Sequence, residues 1–228
     1  MKTLGMQEEG DRIIAWFPED ADLSRVTGEL EGELRTIEET DWSMEWRRRV
    51  RSVRVGPFFV APPWLVDEAP AGMKMIVIEP EMAFGTGDHA TTRGCLAMLA
   101  RHVKEGDRVL DFGCGSGILG IASCLLGARD VVAADSDPVA VEIARKNADV
   151  NKVRLTLLGT DVPPDSTFDV IVANIQTSVL EHLVPKFRAL LAPGGTIILS
   201  GILSEESFVV EGVKGRIVEG EWVTLEVR

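Results

Sequence analysis

Val109-Leu110-Asp111-Phe112-Gly113-Cys114-Gly115-Ser116-Gly117 is the stretch from which the fold can be read. An apolar strand-like run ends at an acidic residue, and glycines then alternate ahead of a helix-forming segment that continues to Leu126. Glycine permits a tight turn and a close approach of a ligand to the backbone. Asp135 follows 22 residues after Gly113, at the end of the next apolar run, 130–134. A carboxylate there can accept two hydrogen bonds from a ribose diol. In an open α/β sheet both places fall on the carboxyl edge of the strands, where ligands bind.

Outward from this core the chain alternates. Strands are expected at 73–80, 108–112, 130–134, 154–158, 168–174 and 194–200, and helices at 92–102, up to 126, at 138–150 and at 178–191. The tail GRIVEGEWVTLEVR, 215–228, reads as two closing strands. Strands and helices at this spacing give an α/β class with a doubly wound, mostly parallel sheet. Ahead of it, residues 1–40 read as a small α+β region with a strand at 13–17 and a helix at 23–34 carrying Val26, Leu30 and Leu34 on one side. Residues 41–65 read as a linker. Trp42 and Trp46 share a helix face there, and Gly56, Pro57, Pro62 and Pro63 break regular structure. The main domain is then 66–228.

The 228 residues suit one full domain plus a small extra piece. At 45% hydrophobic and 26% charged, the chain is neither disordered nor a collagen-like repeat nor a disulfide scaffold. Cys95, Cys114 and Cys124 form no CxxC pair, which argues against zinc ribbons and dithiol redox sites. With no apolar leader at the start, they suggest a reducing cytoplasm. The longest uncharged run, 112–128, is too short and too rich in glycine to span a membrane. Net charge is −12, of which residues 1–45 carry −9, from 13 acids and 4 bases. An acidic chain is a poor general binder of nucleic acid phosphates. The acidic start is either a solvated face or a steering surface for a basic partner.

Three readings of the glycine turn compete. Gly115, Gly117 and Gly120 make a literal GxGxxG, which raises a nicotinamide or flavin cofactor. The dinucleotide fingerprint, however, starts at the glycine directly after the strand, which is Gly113, and its third position is then Ile118. Asp111 would also repel a pyrophosphate, while it suits the ammonium group of an amino acid. S-adenosylmethionine has a ribose, an adenine and a cationic methionine end with no phosphate, and it fits best. A structural turn without a ligand is the third reading.

Two further segments carry chemistry. Asn174 ends the strand 168–174 on the same edge, where its side chain can accept a hydrogen bond from an amine and aim the lone pair; a turn-forming asparagine is the plainer reading. The run Asn174-Ile175-Gln176-Thr177 has no aromatic residue, which favours a flexible amine over a flat amide or base. The loop Glu79-Pro80-Glu81-Met82-Ala83-Phe84-Gly85-Thr86-Gly87-Asp88-His89-Ala90-Thr91-Thr92 can lie over a cofactor, with Phe84 packing and Thr86 or Thr92 making polar contacts. Asp88, Thr91 and Thr92 are candidate helix caps. His89 has no neighbouring metal ligands in sequence and suits a surface or capping place. No metal site is expected.

DWSMEW (41–46), VGPFFVAPPW (55–64), IEPEMAFGTGDHATT (78–92), VLDFGCGSGILGIAS (109–123), AADSDPVAVEIARKNADVN (133–151), FDVIVANI (168–175), SGIL (200–203) and EGEW (219–222) together resemble the ribosomal-protein-L-eleven methyltransferases, the PrmA-type protein lysine methyltransferases. The likeness implies a class I S-adenosylmethionine-dependent methyltransferase with a seven-stranded sheet whose last strand is antiparallel. It implies an N-terminal substrate-recognition region, here reduced to 1–40, on a linker. By position, the family's cofactor contacts fall on Thr92, Gly113, Asp135 and Asn174, beside Phe84, Thr86, Asp111 and Gly115 from the residue reading. Asn174 is the candidate catalytic residue. The implied reaction is methyl transfer to lysine or amino groups of a ribosomal protein of the large-subunit stalk base, by a cytoplasmic monomer that touches neither nucleic acid nor membrane. The alternatives are methylation of a different protein or small amine, a nicotinamide-dependent dehydrogenase, and a non-catalytic binding module.

Overall fold

The computed structural model describes residues 5–9, 12–17, 21, 50–79 and 87–228. It divides into two compact units, 1–48 and 49–228. In the first, β1 (Gly5–Glu9) and β2 (Arg12–Trp16) pair antiparallel, with Gly5 opposite Trp16 and Glu9 opposite Arg12. The expected strand at 13–17 is thus one residue out of step. The expected helix at 23–34 and the pair Trp42 and Trp46 lie outside the described residues.

The second unit opens with a three-stranded sheet. β3 (Val53–Val55) runs antiparallel to β4 (Phe58–Ala61), which is parallel to β5 (Lys74–Val77). All four residues of β4 are buried. The reading of 41–65 as a linker therefore differs from the structure over its second half. Gly56 and Pro57 form the tight β3–β4 turn, with Gly56 at φ 52, and Pro62 and Pro63 open a short 3-10 helix, Pro63–Glu68. The breakers bracket a strand, Phe58-Phe59-Val60-Ala61, that is itself apolar. The expected strand at 73–80 also pairs in this small sheet, not in the main one, because an apolar run does not encode its partner.

The main sheet has the order β11-β12-β10-β9-β6-β7-β8. Its strands are β6 (Arg108–Phe112), β7 (Asp130–Ala134), β8 (Thr156–Leu158), β9 (Phe168–Asn174), β10 (Leu191–Leu203), β11 (Val213–Glu219) and β12 (Trp222–Val227). The chain runs from β6 outward through β7 to β8, then returns to add β9 and β10 on the other side of β6. β12 is antiparallel to both neighbours, and the other strand pairs in the sheet are parallel. The helices are α1 (Ala90–His102), α2 (Ile118–Leu126), α3 (Pro138–Val150) and α4 (Thr177–Leu190). Asp137 caps α3 by accepting from the Val139 amide at 2.8 Å, and Pro138 supplies a preset first turn. Gly127, at φ 103, ends α2 in the left-handed conformation.

Side chains alternate across each strand, so the sheet sorts two cores. Val109, Val131, Val170 and Val172 join α1, α2 and the small sheet through Leu96, Leu99, Ile121, Phe58 and Ile76. Leu110, Ile171, Ala173 and Leu199 join α4 through Leu180, Phe187 and Leu190. If 53–61 is core, as burial indicates, then Phe58→Ala, at a fully buried position, costs about 3–5 kcal/mol of unfolding free energy in urea. A loss below ~0.5 kcal/mol, as at an exposed linker site, would contradict this placement.

Candidate active site

The sheet reverses direction of growth between β6 and β9, and that switch point is where such a fold leaves a crevice at the strand ends. The residues singled out in β6, β7 and β9 converge on it. After Phe112, the amides of Gly113 and Cys114 both donate to the Ala134 carbonyl, at 2.8 and 3.1 Å, and Gly117 N–H donates to the Cys114 carbonyl at 2.8 Å. The loop thus folds over the end of β7. Gly113 sits at φ 75, and a Cβ there would collide with the Ile175 side chain, just past the end of β9. Gly117, at φ 77, lets α2 start against Ala144 of α3, where a Cβ would come within 3.0 Å.

Asp111 is fully buried. Its Oδ2 accepts from the Gly120 amide in the first turn of α2 at 2.8 Å, while Oδ1 has no hydrogen-bond partner among the described residues. Burial pushes its carboxyl up to about 7; the Gly120 bond opposes the rise and the Asp135 charge adds to it. A Cβ on Gly120 would stand 3.3 Å from that Oδ2 and 3.2 Å from Leu155. The last glycine of the literal GxGxxG therefore makes room for a carboxylate and a leucine.

Asp135 follows β7. Its Oδ2 accepts from Gly115 N–H at 2.9 Å and its Oδ1 from Asp137 N–H at 3.0 Å. Both oxygens are oriented, and each keeps a lone pair for a further donor. Asn174 ends β9 half-buried, and its side chain has no hydrogen-bond partner among the described residues. Opposite it in register is Ser200 of β10, where the pairing of β10 with β12 shifts between Leu199 and Ile202. Gly201, at φ 84 within that irregularity, lies so close to the Ile175 carbonyl that no side chain fits. Thr92 is fully buried in the first turn of α1, and its Oγ1 is also without a partner among the described residues. Phe84 and Thr86 lie outside the described residues.

The α1 cap falls on one of the expected candidates. Neither Asp88, Thr91 nor Thr92 caps the helix; His89 does, its Nδ1 facing Thr91 Oγ1 at 2.8 Å and the Thr91 amide at 3.4 Å. Two structural asparagines also escaped the sequence reading. Asn147 Nδ2 donates to the Ser116 carbonyl in the glycine loop at 2.9 Å. Asn151 accepts from Val77 N–H at 2.8 Å and donates to the Val77 carbonyl at 2.7 Å, holding β5 like an added strand. Their signal was available: Ile143, Asn147 and Asn151 recur at four-residue spacing, so the amides continue the buried stripe of α3.

No group of three potential metal ligands occurs among the described residues. Burial raises the thiols of Cys95 and Cys114, and pushes Cys124 up to about 11, so none offers a thiolate at neutral pH. Among the described residues no helix is long and apolar enough to cross a membrane.

The model of the family described as Ribosomal protein L11 methyltransferase (PrmA) matches residues 6–227. The chain is 39% identical over 233 residues to the ribosomal protein L11 methyltransferase of Thermus thermophilus, across 97% of this chain and 88% of that one. It is 38% identical over 208 residues to that of Ralstonia pickettii, across 86% and 69% of the two chains. The crystal structure of the ribosomal protein L11 methylase of Lactobacillus delbrueckii subsp. bulgaricus superposes with a TM-score of 0.70 at 30% identity, covering 78% of this chain and 98% of that one.

The raised Asp111 carboxyl has a stability consequence. A folded-state value of about 7 against an ordinary one of 3.8 means that the unfolded chain ionises first. The contribution is full below about pH 4 and is lost as pH rises to about 7. Measured against Asp111→Asn, the wild-type unfolding free energy should fall over that window, by on the order of 4 kcal/mol, and be flat above it. A difference that does not change with pH would show Asp111 to be an ordinary carboxylate.

Proposed function

We propose that this chain, which belongs to the ribosomal protein L11 methyltransferase family, methylates lysine side chains or the terminal amine of ribosomal protein L11, at the stalk base of the large subunit. The chain is an S-adenosylmethionine-dependent methyltransferase with the class I fold. The nicotinamide reading of the glycine turn falls with that membership. What supports the reading within the site is that three neighbouring strands, β9, β6 and β7, carry at or beside their ends Asn174, whose amide has no partner among the described residues, the buried and there half-satisfied Asp111, and the oriented Asp135.

This donor set fits the cofactor. The orphaned Asp111 Oδ1 asks for a cation or a donor, as the ammonium of a methionine end provides. The free lone pairs of Asp135 suit a ribose diol. The small backbone of Gly113 and Gly115 admits a ligand close to the loop, and the orphaned Thr92 Oγ1 borders the same side of the sheet core as Asp111. We assign Thr92, Asp111, Gly113, Gly115, Asp135 and Asn174 to cofactor binding, with Phe84 and Thr86 as further candidates.

S-adenosylmethionine, when bound, supplies an electrophilic methyl group on a sulfonium centre. The chain supplies geometry. A lysine amine must be neutral to attack, and losing its proton at pH ~7.4 costs about 4 kcal/mol from an ordinary value near 10.4. Asn174 suits this need, since a neutral side-chain carbonyl accepts a hydrogen bond from the amine without favouring the ammonium form as a carboxylate does. Asn174 is half-buried, so the proton can pass to water before attack. Holding the lone pair in line is a positioning role, and a misplacement of 1 Å can cost about 100-fold. Recognition of the protein substrate we assign to the residues of the first unit, where residues 1–45 carry −9 of the net charge and suit a basic partner. We take the active species to be a cytoplasmic monomer.

The test is transfer of labelled methyl from S-adenosylmethionine to unmethylated L11, read by intact mass; a gain in methyl increments is expected, and no gain with cofactor bound would move the substrate elsewhere. Asp135→Ala should weaken cofactor binding by about 1.5–3 kcal/mol, and unchanged affinity would reject the ribose assignment. Asn174→Ala should keep most of the cofactor affinity and lower turnover about 10- to 100-fold. A normal rate would remove Asn174 from the mechanism.

A further inference from the structure

Glu219-Gly220-Glu221-Trp222 lies 126 residues from Arg93, yet its contacts reach both sides of the site. The four residues form the turn between β11 and β12, with Glu219 paired to Trp222 and Gly220 at φ 60. A glycine with positive φ at the first turn position is what a tight hairpin of this type requires. Both flanking side chains leave the sheet toward the start of α1. Glu219 Oε1 accepts from Arg93 Nε at 2.9 Å and from Nη2 at 2.5 Å. The same guanidinium donates through Nη1 to the Asp88 carbonyl and lies 3.4 Å from Asp88 Oδ1. Trp222 meets the ring of His89, the α1 cap, edge to face at 4.9 Å. One turn on, Gly94 leaves room for Thr224 of β12, whose Oγ1 bonds Ser200 Oγ at 2.8 Å.

The second arm runs through the backbone. The Glu221 carbonyl accepts from Ser204 N–H at 2.7 Å, just past β10. Glu206 Oε2 then accepts from Leu203 N–H at 3.0 Å and from Thr177 Oγ1. Thr177 is the first residue of α4, three beyond Asn174, and the segment between them is pinned by Ile175 N–H donating to the Ser200 carbonyl at 3.1 Å.

We propose that this hairpin turn is a positioning element of methyl transfer: Glu219 and Trp222, through Arg93 and His89, set the first turn of α1 and with it Thr92, while Glu221 and Glu206 set the segment that carries Asn174. The proposal rests on the assignment of Thr92 and Asn174 made above. Arg93 is held from two sides, with Nε and Nη2 on Glu219 Oε1 and Nη1 on Asp88, and a planar guanidinium tied on two edges is fixed in orientation as well as distance. The two arms act on different steps. The α1 arm bears on cofactor affinity and the α4 arm on turnover.

The experiment measures S-adenosylmethionine affinity by calorimetry and the rate of L11 methylation at saturating cofactor, for the full chain and its variants. Glu219→Ala should weaken affinity about fivefold or more, the lower end of coupling between linked sites, with the saturated rate within about twofold of wild type. Glu206→Gln should leave affinity alone and lower the saturated rate. Should Glu219→Ala fail to fold, Glu219→Gln carries the same comparison, with a smaller loss. Thr92→Val is run beside them. If Thr92→Val weakens binding and the Glu219 variants do not, the hairpin has no positioning role. If the Glu219 variants weaken binding and Thr92→Val does not, the positioning role stands and the assignment of Thr92 falls. If affinity and saturated rate fall together in every variant, the hairpin is merely structural and the proposal is overturned.

Discussion

A carboxylate shut away from water organises this molecule. Asp111 lies on the central strand, fully buried, and the bond its Oδ2 accepts from the Gly120 amide fixes where α2 begins. That contact constrains the neighbourhood. Gly120 must be small, Gly117 must turn with positive φ against Ala144, and the loop between strand and helix must fold over the end of β7. A buried carboxyl oxygen with no hydrogen-bond partner among the described residues is costly. Asp111 also explains why a literal GxGxxG misleads here: its last glycine makes room for the carboxylate, and a pyrophosphate would meet repulsion there.

The rest of the site follows from topology. Growth of the sheet outward from β6 in both directions leaves the ends of β9, β6 and β7 side by side. Each contributes one side chain of different chemistry, Asn174, Asp111 and Asp135, at that edge of the sheet. Ile175 is wedged between Gly113 and Gly201, both at positive φ and both barred from carrying a side chain. Two glycines far apart in sequence thus fix the residue next to Asn174, and the irregularity in β10 at Ser200 and Gly201 is the sort of local feature that re-aims side chains near active sites.

Most of the main sheet was legible in the sequence because its signals are local. Apolar runs, the Asp137-Pro138 start of α3 and the alternating glycines each report on a few neighbouring residues. Asp111, Asp135 and Asn174 could be placed on one edge for the same reason: each ends a strand. What could not be read depends on distant partners. Gly56, Pro57, Pro62 and Pro63 look like a connector until Phe58 is seen packed against α1 and the central sheet. His89 was legible as a surface or capping residue, but nothing local chose it over Asp88, Thr91 and Thr92, which are commoner cap residues, and the Trp222 edge that steadies it comes from the other end of the chain. EGEW stood out as a stretch of family likeness, but nothing local to it points to Arg93.

The measurement that bears most directly on this account is a crystal structure of the chain with S-adenosylmethionine bound. The account predicts the ribose hydroxyls on the Asp135 carboxylate, the ammonium at the Asp111 end of the glycine loop, and the methyl group turned toward Asn174. A cofactor seated away from the ends of β6, β7 and β9, or one whose ribose leaves Asp135 untouched, would contradict it.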